Sequence, residues 1–125
     1  MVMTENELTY KIRGAVWDVY NALGPGLLES VYEEALCYEL QLRGLKVERQ
    51  LPVPIIYKGV TLKNDLKLDL LIEDQIIIEL KSVEDIKPVF FKQLKTYMRL
   101  TNKHLGFLVN FGENDMKDGI HRFIL

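Results

Sequence analysis

Asp69, Glu79 and Lys81 are the residues of this sequence whose types and spacing could act together. Leu66, Leu68 and Leu70 alternate with Lys67 and Asp69, Glu73-Asp74-Gln75 interrupts the run after Ile72, and Ile76-Ile77-Ile78-Glu79-Leu80-Lys81 follows, the pattern of a hairpin. With residues 73 to 75 as the turn, Ile72 faces Ile76, Asp69 lies opposite Glu79, and Lys81 lies opposite Lys67. Residues two apart in a strand share a face, so Glu79 and Lys81 join Asp69 on one side while Leu68, Leu70, Ile78 and Leu80 take the other. The polar side runs on into Leu71 and Ile77, which places the cluster where a buried surface opens to solvent. Two carboxylates close together can hold a hard cation such as Mg²⁺ or Mn²⁺ with some of its waters retained. A lysine beside them can orient or deprotonate a water and meet charge on a phosphate. That is the chemistry of phosphodiester hydrolysis. The same spacing also lets Lys67 and Lys81 tie Asp69 and Glu79 into cross-strand ion pairs, and spacing alone leaves both readings open.

The rest of the chain must position this hairpin. Thr4 with Glu7 three residues on reads as a capping box, and Leu8, Ile12, Ala15, Val16, Val19 and Leu23 recur at helical spacing until Gly24-Pro25-Gly26. A second helical pattern runs from Leu28 to Leu42 and stops at Gly44. From Lys46 the period changes, and Val47 to Tyr57, with Pro52 and Pro54 each lacking a donor, reads as an irregular or edge strand turned back at Lys58-Gly59. After the hairpin, Pro88 suits a first helical position, and Phe91, Leu94, Tyr97 and Met98 mark the buried stripe of a third helix to about Leu100. Leu105, Phe107, Val109 and Phe111 alternate as a strand, Gly112 to Gly119 is a polar loop, and Ile120 to Leu125 is a last strand.

Composition bounds the function classes. The chain has 125 residues, 48% hydrophobic and 27% charged, which suits a single globular domain over residues 1–125. Lys+Arg number 16 against Asp+Glu 18, so no global field recruits or repels nucleic acid. One cysteine, Cys37, forms no internal disulfide and reads as a packed thiol; His104 and His121 lack the spacing of a zinc site. The N-terminus lacks the order of a signal peptide and no apolar run is long enough to span a bilayer, so a soluble, cytoplasmic protein with no membrane partner is expected.

Several pieces together resemble a known family. Gly26-Leu27-Leu28-Glu29-Ser30-Val31-Tyr32 is similar to the signature of the GxxExxY protein family, and Asp69 with Glu79-Leu80-Lys81 resembles the D…ExK core of the PD-(D/E)XK nuclease superfamily, in which that family is placed. Gln93-Leu94-Lys95-Thr96-Tyr97 is similar to the QxxxY element and Val109-Asn110-Phe111-Gly112 to the family's NFG segment, so the likeness covers nearly the whole chain from Leu8. Any one piece is weak, whereas the combination in this order is specific. The resemblance implies an α/β fold with a restriction-endonuclease-like core, a mixed β-sheet flanked by α-helices in the order ααβββαββ. It implies Asp69 and Glu79 as metal ligands, Lys81 as the catalytic lysine, Glu29 as a further acidic ligand from the second helix, and Gln93 and Tyr97 bordering the site. Phe90-Phe91-Lys92 departs from the smaller or more polar neighbours expected before Gln93.

The accessory residues also have plainer roles. Glu29 lies in the first turn of the second helix, where a carboxylate can cap free amides; Tyr32 reads as a packed ring that supports the site's border; Gln93 and Tyr97 meet on one helical face. Lys92, Lys95 and Arg99 share a face of the third helix, either a solvated stripe or one that contacts phosphates. The leading expectation is a Mg²⁺- or Mn²⁺-dependent nuclease acting on nucleic acid. The alternative is a non-catalytic nucleic-acid-binding or protein-assembly module retaining that fold, and a homodimer would enlarge the binding surface of so small a chain.

Overall fold

A computed structural model describes residues 3–125. Helix α1 (Glu5–Leu23) begins at Thr4, whose Oγ1 accepts the Glu7 amide at 3.2 Å, and α2 (Glu29–Leu42) follows. Strands β1 (Val47–Tyr57), β2 (Val60–Ile72) and β3 (Ile76–Lys81) precede α3 (Pro88–Leu100), and β4 (Leu105–Asn110) and β5 (Ile120–Ile124) complete the order ααβββαββ expected from the sequence. A short 3₁₀ turn (Met116–Asp118) interrupts the 112–119 loop and buries Met116, so that loop is not polar throughout.

The five strands form one mixed sheet in the order β1-β2-β3-β4-β5, with β3 and β4 parallel and every other pair antiparallel. A parallel pair needs a crossover, and α3 supplies it. The prolines of β1 sit in an edge strand, as their missing donors require. Strand β2 starts at Val60 rather than Leu66, because β1 continues past its proline pair to match Ile56 with Thr61 and Tyr57 with Val60.

Both faces of the sheet are covered. Helices α1 and α2 pack on one through Leu8, Ile12, Val16, Leu36 and Leu40 against Leu70, Ile78, Leu80 and Phe107. Helix α3 covers the other through Leu94 and Met98 against Leu71, Ile77 and Leu108. It lies so close that a Cβ on Gly106 of β4 would come within 2.8 Å of Met98 Sδ. Strand β4 is consequently buried at every position.

One expectation needs correction. Leu68 does not share a face with Leu70: it packs on the α3 side with Leu71 and Ile77, whereas Leu70 packs under α1 and α2. The same switch occurs in β1, where Val47 lies on the α1/α2 side and Leu51 and Val53 on the α3 side. Between these positions lie Gln50, with a left-handed φ of 47°, and Asp69, and the β1–β2 ladder passes from Arg49↔Leu70 to Leu51↔Leu68 without pairing them. An irregular residue of this kind breaks the two-residue alternation on which the face assignment rested.

Candidate active site

The break brings Asp69 together with Glu79. The β2–β3 ladder runs through Ile72↔Ile76, Leu71↔Ile77 and Leu70↔Ile78, the register that the turn at residues 73 to 75 implied, and pairing stops there. Beyond it side chains replace the ladder: the Asp69 amide donates to Glu79 Oε1 at 3.2 Å, and the Leu80 amide donates to Asp69 Oδ2 at 2.9 Å. Each carboxylate thus takes an amide of the opposite strand, which satisfies the backbone while holding the two acids together. The expected facing of Lys81 and Lys67 does not occur. Lys81 is matched with Asn110 of β4, and Lys67 with Pro52 of β1.

The ion-pair reading fails on the same geometry. Among the described residues, neither Lys67 nor Lys81 comes within 4.0 Å of a carboxylate oxygen. Glu79 is 6% exposed. Burial first, and then the like charge of Asp69, push its pKa from 4.5 up to about 9. The Lys81 ammonium lies 4.3 Å from the centroid of the Phe90 ring, a cation–π contact that directs it toward α3. Phe90, the departure from the family pattern, is therefore a platform for Lys81.

Helix α3 completes the surroundings. Lys81, Phe90, Lys92, Gln93, Thr96 and Tyr97 are among the residues lining an open cleft of about 540 Å³. Gln93 Nε2 donates to the Tyr97 hydroxyl at 2.8 Å, so the two meet as their spacing implied. Burial raises the Tyr97 pKa, as do the negative fields of Glu79 and Asp69, against the Gln93 bond that lowers it. Of the three basic residues on this helix, Lys92 borders the cleft. Lys95 reaches over the Phe123 ring at 5.6 Å, and Arg99 lines a separate hollow with Lys103 and His104.

Glu29 opens α2 at an exposed position, and among the described residues its side chain caps no amide. Partial burial pushes its pKa up, the Lys81 ammonium pulls it down, and Asp69 and Glu33 push it up, so Glu29 shares the field of the acidic pair. It does not close with them into a three-carboxylate cluster: among the described residues no group of three His, Cys, Asp or Glu side chains is placed to hold a metal ion. Tyr32 is buried away from the cleft, stacked on Phe111 with centroids 4.4 Å apart. Its hydroxyl donates to the Gly24 carbonyl and accepts the Leu27 amide, and Ser82 Oγ donates to the Leu27 carbonyl at 2.6 Å. Tyr32 and Ser82 together fix the loop that presents Glu29.

Sequence reasoning gave no role to Glu33, Gln50, Phe90, Ser82 or Asn110. Glu33 could have been found, because it stands at helical spacing with Leu36, Cys37 and Leu40 on the inward stripe of α2, where a carboxylate needs a partner. Asn110, fully buried, exchanges hydrogen bonds with the amide and carbonyl of Val83, two residues beyond Lys81. Gly112 lies against that same segment, and a Cβ there would fall 2.1 Å from the Val83 oxygen.

The donor set fits a divalent cation held by two carboxylates and completed by water. Asp69 and Glu79 offer hard carboxylate oxygens, and among the described residues no basic side chain lies within 4.0 Å of the buried Glu79 carboxyl, so a cation would supply the missing counter-charge.

No curated protein matches this chain significantly. Among solved structures, the crystal structure of SSO0001 is similar at a TM-score of 0.44 and 17% identity, covering 92% of this chain and 75% of that chain. A family model of the PD-(D/E)XK nuclease superfamily matches residues 6–123, nearly the whole length over which the hairpin, its broken ladder and α3 are built, and the chain therefore belongs to that superfamily.

Proposed function

We propose that this chain is a divalent-metal-dependent nuclease domain that hydrolyses phosphodiester bonds of nucleic acid. The observation that carries the reading is the break in the β2–β3 ladder, where Asp69 and Glu79 take each other's strand amides, with the Lys81 ammonium acting on Glu79 through its charge and lining the adjoining cleft. Membership of the nuclease superfamily supports it.

In this reading Asp69 and Glu79 would hold Mg²⁺ or Mn²⁺, and Glu29 would add a further acidic group from α2 to their field. The cation, when bound, polarises the scissile phosphate and lowers the pKa of bound water. Lys81 orients the attacking water and meets the charge that builds on the phosphoryl oxygens, its ammonium restrained by the Phe90 ring. Gln93, fixed by Tyr97, offers a neutral donor on the cleft wall, and Lys92 offers a cation for the next phosphate.

The test is Mn²⁺ binding by calorimetry on the wild type and Asp69→Ala, followed by cleavage of labelled single- and double-stranded DNA and RNA. Saturable binding and Mn²⁺-dependent cleavage, both lost in Asp69→Ala, are expected. An Asp69→Ala protein that cuts as well as wild type overturns the mechanism. The separation of Glu29 from the acidic pair favours a second reading, a non-catalytic binding module. That reading requires Lys92 to matter for nucleic-acid binding while Asp69 and Lys81 do not, and a gel-shift comparison of the two sets of variants distinguishes them.

A further inference from the structure

Among the described residues, five other than glycine have positive φ, and four of them, Lys58, Glu73, Asp74 and Asn102, lie in turns. The fifth, Gln50, lies inside β1 with φ 47°. No turn demands that conformation, which is strained for any residue carrying a Cβ and free for glycine. Its effect is visible in the side chain: Gln50 Nε2 donates to Glu33 Oε1 at 2.6 Å and to Asp69 Oδ1 at 3.3 Å. Both acceptors are carboxylates, so the amide nitrogen is the end that must face them. Glu33 is itself buried and held by Arg49 through its other oxygen at 3.2 Å. Arg49, Glu33, Gln50 and Asp69 thus form one continuous chain from α2 and β1 into the acidic pair.

We propose that Gln50 is a positioning residue for Asp69, and that its strained backbone is kept because it aims the amide at that carboxylate. The inference rests on the nuclease reading in taking Asp69 as a metal ligand. Leu80 fixes one Asp69 oxygen through its amide, and Gln50 fixes the other, so the carboxylate has a single orientation in which to meet a cation. Glu33, anchored by Arg49, keeps Gln50 from turning out to solvent.

Stability and metal affinity then respond in opposite directions to substitution. In Gln50→Gly the strain is relieved and the clamp is lost. In Gln50→Asn the left-handed conformation is still tolerated, but the shorter side chain does not reach both carboxylates. Mn²⁺ affinity by calorimetry and thermal melting without metal are measured on both variants and the wild type. Each variant is expected to melt at or above the wild-type temperature while its Mn²⁺ affinity falls about 10- to 100-fold, the usual effect of removing a partner of a metal ligand. Affinities within twofold of wild type in both variants overturn the proposal. A fall in melting temperature in both also overturns it, since Gln50 would then be holding the fold. Failure of the nuclease reading is recognised separately, from a wild-type protein that binds no Mn²⁺, and takes this inference with it.

Discussion

Burial first, and the like charge of Asp69 second, displace the ionisation of Glu79 to about 9 from 4.5. Between those values the folded protein holds a proton that the unfolded chain has released. The contribution to stability is therefore complete below about 4.5 and is lost as the pH rises through about 9. The wild-type melting temperature should fall from pH 6 to pH 9, and Glu79→Gln, which carries no titrating proton there, should flatten the decline. Superimposable profiles would show that another group titrates. A cation held by Glu79, as proposed, would displace the same proton, so Mn²⁺ binding at pH 7 should release close to one proton, read as a dependence of the calorimetric heat on the buffer's ionisation enthalpy. Lys81 should behave differently. Lys81→Met removes the ammonium from above Phe90 but touches neither carboxylate, so it should leave Mn²⁺ affinity within a few-fold and lower cleavage by about 10²-fold or more. A variant that lost metal binding and cleavage together would place Lys81 in the metal site's support instead.

At the scale of elements, the site depends on what happens just past the end of β3. Asn110, on the parallel neighbour β4, takes the Val83 amide at 3.0 Å and gives to the Val83 carbonyl at 2.9 Å, continuing the sheet with a side chain where no strand remains. Asn110→Ala would leave both half-buried groups without that partner and open a gap at the fully buried Asn110, so it should destabilise the fold by about 2–4 kcal/mol in urea denaturation. A loss under about 1 kcal/mol would show that water or Glu113 substitutes. The elements themselves were largely legible in the sequence. Proline at the start of α3, the prolines of the edge strand and the charged turn at residues 73 to 75 are local signals, and they placed helices, edge and hairpin register correctly. The break at Gln50 and Asp69 was not legible. Gln50 is neither glycine nor asparagine, and its conformation is held by bonds to residues 17 and 19 positions away, which no local pattern carries. For that reason the two-residue alternation puts Leu68 on the wrong face.

Over the whole molecule the formal charge is −2, so attraction to nucleic acid has to come from a local arrangement of cations. The sequence offered Lys92, Lys95 and Arg99 as one stripe, because helical spacing reports a common face and not what that face borders. In the fold they divide: Lys92 stands with Lys81 at the cleft, Lys95 leans over Phe123 of β5, and Arg99 lies by the far hollow. A backbone led past Asp69 and Glu79 would meet Lys81 and Lys92 first. Contact with two or three phosphates gives a salt dependence of log K on log salt of about −2 to −3, shallow beside that of proteins that grip many phosphates. Binding measured by fluorescence polarisation in an Asp69→Asn background should therefore weaken about tenfold or more in Lys92→Glu and remain within about twofold in Arg99→Glu, with melting temperatures unchanged because both residues are exposed. Equal losses in the two reversals would mean that the backbone runs along the full length of α3 rather than through the cleft. The substrate would then be a longer, more extended ligand than a site bounded by Lys81, Phe90 and Lys92 implies.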